Sequence, residues 1–190
     1  MLNVVGAFGL SVLIGAPIAF ALIFSGLIYV EASGTYPSTL SSYLFSTLNS
    51  GALLAIPFFI LSAEILNRSG ATKRLVEMVD AWVGHNRGGL PVVAVIAVAF
   101  FSAISGSSAA TAAAIGSVMI PEMVARGYDR RFTVGLIATA GGLGILIPPS
   151  IPLIIYGMVA EVSVDRLFRA AMLPGIILAT ILAFVAYFAG

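Results

Sequence analysis

Apolar residues run along this chain in long blocks, and the short polar, glycine-rich or proline-rich interruptions between them set the elements. The first block, Met1 to Val30, is apolar almost throughout. At about 1.5 Å rise per residue, one straight helix of that length overshoots a hydrocarbon layer of roughly 30 Å. Gly15, Ala16 and Pro17 predict a break or tilt inside it, because proline deletes a helical hydrogen bond and clashes with the preceding turn. The block has no basic leading region and is too long for a signal peptide, so it is expected to be retained membrane structure. Ala32 to Ser50 carries no charge and places Leu40, Tyr43, Leu44 and Leu48 on one helical face. That pattern predicts an interfacial helix, with Tyr36 and Tyr43 at the headgroup level.

A span over Ala52 to Leu66 follows, with Glu64 near its end and Arg68 four residues on. An interfacial ion pair accounts for these charges better than a proton relay does. From Gly70 to Gly84 the pattern turns amphipathic: Lys73, Glu77 and Asp80 line one face, and Leu75, Val79, Trp82 and Val83 another. This predicts a membrane-surface helix or an arm packed against neighbouring spans. His85, the only histidine, sits in GHNRGG with no ligating partner in view and is given no role.

The next two blocks are each interrupted in their interior. Leu90 to Ala125 is divided by ISGSSAAT, and the stretch from Phe132 is divided by GGLGILIPPSIP. An unpaired amide in lipid costs several kcal/mol, so irregular chain at that depth persists only when buried in protein or lining a wet cavity. Cations fix the topology. None precedes Arg68; Arg68, Lys73, Arg74 and Arg87 share one loop, and Arg126, Arg130 and Arg131 share the next, so both loops are predicted to be cytoplasmic. Leu90 to Ala125 must then enter and leave on the same side, and its two short limbs predict a re-entrant helical hairpin. Ala103, Ser107 and Thr111, and likewise Ser105, Ala109 and Ala113, recur at small-residue spacing suited to close contact between the limbs.

In the second interruption Gly141, Gly142 and Gly144 precede Pro148, Pro149 and Pro152, and helix is expected to fail from the glycines onward. Carbonyl oxygens are left without donors there. With the hydroxyls of Ser105, Ser107, Ser108 and Ser150 they form the hard-oxygen surroundings that a small hard cation prefers, and sodium is the first candidate. An anionic substrate is expected at hairpin helix N-termini, near Ser107, Ser108, Thr111 and Ser150. The crossing ends near Glu161 and Asp165, and a last span covers Leu167 to Gly190. Arg166 and Arg169 conflict with an external loop at that point.

Composition makes the membrane assignment firm. The chain is 60% hydrophobic and 9% charged, with mean hydropathy +1.11, whereas a soluble domain carries about a quarter charged residues. A net charge of +1 gives no reason to expect nucleic acid, and the absence of cysteine leaves no disulfides. Two other functions compete with transport. An intramembrane serine hydrolase would use a tip serine as nucleophile, but Leu90 to Pro152 offers no His or Lys as a base, and Glu122 and Asp129 belong to the cytoplasmic edge. A non-transporting scaffold subunit would leave both interruptions without a ligand.

The strings IPFFILSAEILNRSG, the amphipathic arm with its RGG ending, FFSAISGSSAATAAAIGSVMIPEM and GGLGILIPPSIPLIIYG resemble, in order and spacing, the large membrane subunit of tripartite ATP-independent periplasmic (TRAP) transporters. The resemblance covers nearly the whole chain. It implies an all-α membrane protein forming one repeat of an elevator-type secondary transporter, with a re-entrant helical hairpin and a discontinuous transmembrane helix. It implies scaffold-type spans and arm over 1–88, transport-type hairpin and crossing over 89–165, and a final span over 166–190. The function implied is sodium-coupled uptake of organic acids such as C4-dicarboxylates or sialic acid, with no enzymatic activity, in the bacterial cell inner membrane. Sodium is the coupling ion and no organic cofactor is implied. The implied partners are a small membrane subunit and a periplasmic substrate-binding protein. The family's sodium site corresponds to Ser105, Gly106, Ser107, Ser108, Gly144, Ile147 and Pro149. Thr111 stands where members often have aspartate, and Ile145 where they often have proline, so sodium affinity or stoichiometry is expected to differ. Such subunits contain a second, inverted repeat, expected here in a longer chain or a separate polypeptide. Without it this chain is not expected to transport.

Overall fold

The computed structural model describes residues 2–34, 37–49, 51–84 and 88–189. Tyr36, His85 and Arg87 lie outside the described residues, as do the side chains of Leu40 and Tyr43. The elements are all helices: α1 Leu2–Leu13, α2 Ile18–Ala32, α3 Pro37–Leu48, α4 Gly51–Arg68, α5 Ala71–Val83, α6 Gly89–Ser105, α7 Ser108–Ala125, α8 Arg130–Gly141, α9 Leu143–Leu146, α10 Ile151–Val159 and α11 Val164–Ala189. They form two compact units, Met1–Ser50 and Gly51–Gly190. This division by packing does not bear on the scaffold and transport partition expected from the sequence.

In the first unit the long apolar block breaks where Gly15 and Pro17 predict. Gly15 takes φ +85°, a left-handed value that costs other residues about 1–2 kcal/mol. Pro17 caps α2 with an extended backbone, and α1 and α2 pack against each other. Their outward faces remain apolar, with Leu13, Ile14, Ile18 and Phe20 exposed. Leu44 and Leu48 of α3 are exposed too.

In the second unit α6 is the central element. Val93, Ala94, Ala97, Val98 and Phe101 are buried among Ile115, Met119 and Met123 of α7, Ile137 and Ala140 of α8, Leu143 of α9, and Leu182 and Ala186 of α11. Hydrocarbon solvates leucine as well as a protein core does, so in a membrane such contact is favoured by close packing and internal hydrogen bonds rather than by escape from water. Among the described residues two helices, Ser108–Ala125 and Val164–Ala189, are long and apolar enough to cross a bilayer. Two bent pairs also qualify, α4 with α5 at 71° and Arg130–Leu146 with Ile151–Val159 at 41°.

The arm α5 buries Thr72, Val76 and Val79. Trp82, on the apolar face of the sequence pattern, is 66% exposed. Positions 72, 76 and 79 follow the buried i, i+4, i+7 stripe, and 82 falls at its edge. Lys73 and Glu77 form an exposed pair at 3.8 Å, and Glu64 pairs with Arg68 on the surface of α4. Arg169, which conflicted with the expected topology, pairs with Asp165 at 2.7 Å.

Candidate functional site

The turn between α6 and α7 is built from Ser105, Gly106 and Ser107. Gly106 takes φ +63°, which reverses the chain and ends α6, while Ser107 adopts an extended conformation and caps α7. Hydroxyls supply the hydrogen bonds that the turn removes from the helices. Ser105 Oγ lies 2.8 Å from Thr111 Oγ1 and accepts from the Ser107 N–H at 3.2 Å; Ser107 Oγ accepts from the Ala110 N–H at 3.4 Å. Ser105, Gly106 and Thr111 are buried, while Ser107 and Ser108 on the other side of the turn are half-buried. The small-residue faces expected to run through the tip do not form, because the helix stops at Gly106. Ala103, Ala109 and Ala113 are exposed, and it is Thr111, Ala114 and Ile115 that pack inward.

The second interruption is shorter than the sequence suggests. Helix continues through Gly141 and Gly144 with one tightened step, Gly142 N–H to Thr139 O at 3.1 Å, and fails only over Ile147 to Ser150. Glycine merely permits departure from the helix, whereas proline enforces it. Pro148 and Pro149 have no amide hydrogen, so the carbonyls of Gly144 and Ile145 lose their helical donors. Ile147 and Ser150 are extended, and the Pro148–Pro149 bond is cis.

The two interruptions meet. The Ile151 N–H, which in a continuous helix would return to Ile147, crosses to the Gly106 carbonyl at 3.1 Å. A Cβ added at Gly106 would stand 2.8 Å from Pro149 O, and one at Gly144 would stand 2.8 Å from both Ser107 C and Ser108 N. Glycine at these positions is what permits backbone to touch backbone. The other side of the joint is closed by α11, where a Cβ on Gly175 would meet Leu146 and Ile147 at 3.3 to 3.4 Å. Gly175 stands 11 positions after Val164 and 14 before Ala189, so the break lies beside the middle of a membrane-length helix.

Ser105, Gly106, Ser107, Ser108, Gly144, Ile147 and Pro149 therefore gather at one place, together with Ser150. Two helix C-termini, of α6 and α9, and two N-termini, of α7 and α10, converge there. Helix C-termini favour cations and N-termini favour anions. Ser150 Oγ is buried without a hydrogen-bond partner among the described residues. As the residue capping α10 it would normally accept from the second or third amide, and Pro152 has removed one of these. An orphaned hydroxyl beside donorless carbonyls fits a small hard cation. Thr111 and Ser150 are fully buried, so of the expected substrate contacts only Ser107 and Ser108 retain exposed surface. Ser107 borders a cavity of about 530 Å³ that is also lined by Ile60, Asn67, Ser105 and Ala110. Sequence reasoning passed over Ser102, fully buried one turn before the tip. Its spacing of four from Gly106 was the available signal.

The family described as "Tripartite ATP-independent periplasmic transporter, DctM component" matches residues 5–190. The C4-dicarboxylate TRAP transporter large permease protein DctM of Pseudomonas aeruginosa is 48% identical over 149 residues, 78% of this chain and 35% of that protein. The isethionate TRAP transporter permease protein DctMQ of Oleidesulfovibrio alaskensis is 39% identical, covering 96% of this chain and 28% of its own. The ectoine/5-hydroxyectoine permease UehC of Ruegeria pomeroyi is 38% identical over 91% of this chain and 39% of its own. The chain thus spans roughly a quarter to two fifths of the length of these relatives. All are named as transporter permeases, which are not enzymes, and the hydrolase reading is not favoured. This chain belongs to the DctM component family of TRAP transporters, whose members are integral membrane permeases.

Proposed function

We propose that this chain supplies the first half of the transport machinery of a sodium-coupled TRAP permease, importing an organic acid such as a C4-dicarboxylate or similar carboxylate. The observation that carries the reading is the hydrogen bond from Ile151 N–H to Gly106 O, which joins two non-helical stretches in the interior of the unit. Sodium is held between them by carbonyls of the Gly144 to Pro149 segment and by oxygens of the tip. The buried tip and the position of Gly175 beside the break support a re-entrant hairpin, since a pair of full crossings would carry its turn into water. The substrate carboxylate is met by the N-terminus of α7, with Ser107 and Ser108 at its mouth. Relatives named for C4-dicarboxylate, isethionate and ectoine span several substrates, so the cavity wall rather than the ion site sets specificity.

A second half, with its own hairpin, completes the cavity and moves with this one as an elevator. A small membrane subunit and a periplasmic binding protein complete the assembly, and the fused permease DctMQ supports the pairing of large and small subunits. The site of action is the bacterial inner membrane. Complete permease in proteoliposomes, supplied with its binding protein, tests the coupling. Uptake should follow an inward sodium gradient and vanish when potassium replaces sodium; equal uptake in both would overturn the proposal.

A further inference from the structure

The arm α5 presents three surfaces, and two of them have neighbours within the unit. Thr72, Val76 and Val79 are buried. Lys73 and Glu77 pair at 3.8 Å and, with Asp80, Glu122 and Arg126, line a cavity of about 210 Å³ shared with α6 and α7. The third surface is Arg74, Met78 and Trp82, which recur at i, i+4 and i+8 and so share one side of the helix. Met78 is 41% and Trp82 66% exposed, and Arg74 is exposed as well. Of the two cations on the arm, Lys73 has an acidic partner and Arg74 has none among the described residues.

The setting of the third surface identifies what meets it. Lys73, Arg74, Glu77 and Asp80 in a 13-residue helix keep α5 out of hydrocarbon. Its axis turns 71° from that of α4, so with α4 as the crossing limb the arm runs close to the membrane plane. The shared cavity sets the start of the arm beside the end of α7, just before Arg130 and Arg131, which also lack acidic partners among the described residues. Such an excess of cations marks the cytoplasmic side, whose leaflet carries the anionic phospholipids. In that plane tryptophan rests at the headgroup level, methionine reaches the acyl chains, and an arginine stem carries its charge up to the phosphates. Zwitterionic headgroups bring a cation of their own that competes with arginine, so a net positive surface selects anionic ones. We infer that Arg74, Met78 and Trp82 form a binding surface for anionic phospholipid of the cytoplasmic leaflet. The Arg74 guanidinium takes the headgroup phosphate, and Met78 and Trp82 take the glycerol and upper acyl region, holding the arm in the interface. The inference needs an integral membrane permease and is independent of the sodium coupling proposed above.

The test uses complete permease. In vesicles whose phospholipids carry bromine on the upper acyl chain, the part of the tryptophan emission that W82F removes should be quenched. Absence of quenching in that part would show that protein, not lipid, covers Trp82 and would overturn the inference. In detergent, added phosphatidylglycerol should raise the melting temperature, and phosphatidylcholine or inorganic phosphate should not. R74Q should raise the half-maximal phosphatidylglycerol concentration about fivefold, the share of one basic side chain at an anionic surface. R74K keeps the charge and should respond like the unmodified protein. An unchanged phosphatidylglycerol response in R74Q, or an equal rise with phosphatidylcholine or phosphate, would contradict the assignment.

Discussion

The two interruptions are made by opposite means. At the tip, one left-handed glycine turns the chain and the hydroxyls of Ser105, Ser107 and Thr111 replace the lost backbone bonds, so the turn is satisfied from within. In the crossing, Pro148 and Pro149 delete donors and, among the described residues, no local donor replaces them; the bond that closes the break runs to Gly106 O. One break is self-contained and the other is incomplete. On the reading proposed above, a cation beside the preformed tip supplies what the crossing lacks, at a joint that Ile151 N–H and Gly106 O already close.

The largest effect should come from forcing the two apart. Gly106→Ala adds a Cβ 2.8 Å from Pro149 O to a residue at φ +63°, and the left-handed backbone alone costs about 1–2 kcal/mol. Sodium-driven uptake by the complete permease is expected to fall to roughly one tenth or less. Gly144→Ala meets the backbone of Ser107 and Ser108 without that backbone strain. A smaller loss is expected, with a weakened sodium response in the same assay. Thr111→Val removes one bond of Ser105 Oγ, which keeps the amide and carbonyl of Ser107, at a cost of about 0.5–1.5 kcal/mol. A lowered melting temperature should result, and Thr111→Ser should restore it. Pro149→Ala returns a donor for the Ile145 carbonyl, so a modest rise in half-saturating sodium is expected. Glu64→Gln breaks an exposed pair worth at most about 1 kcal/mol. Uptake and its pH profile should not change, whereas a proton relay through Glu64 would alter both.

Much of this arrangement is legible in the sequence because it depends on residues that constrain backbone. Gly15 with Pro17 marks the first break, Gly106 amid serines marks the tip, and the paired prolines mark the second. The length of the second break is less legible. GGLG looks like a breaker, yet Gly141 and Gly144 remain helical, and their small size serves contact with Ala112, Ser107 and Ser108. Glycine has two uses, flexibility and closeness, and a sequence does not say which applies. Facing was harder still. Small residues at 103, 107 and 111 suggested a seam, but a chain reversal at Gly106 resets the helical phase, so that spacing ceases to describe one face. The sequence left open whether the face bearing Trp82 turns to protein or to lipid, since hydrophobicity alone does not separate the two. Ser102 offers only its spacing of four from Gly106 in the sequence; that its hydroxyl is buried without a partner among the described residues is visible only in the geometry.

The central claim is that tip and crossing close together on one sodium ion. The chain has no cysteine, so a single cysteine introduced at Ser107 or at Ile147 in an otherwise cysteine-free complete permease reports on each side of the joint separately. Alkylation should slow at both positions when sodium replaces potassium, with the same sodium dependence. Protection at only one position, or at neither, would contradict the account.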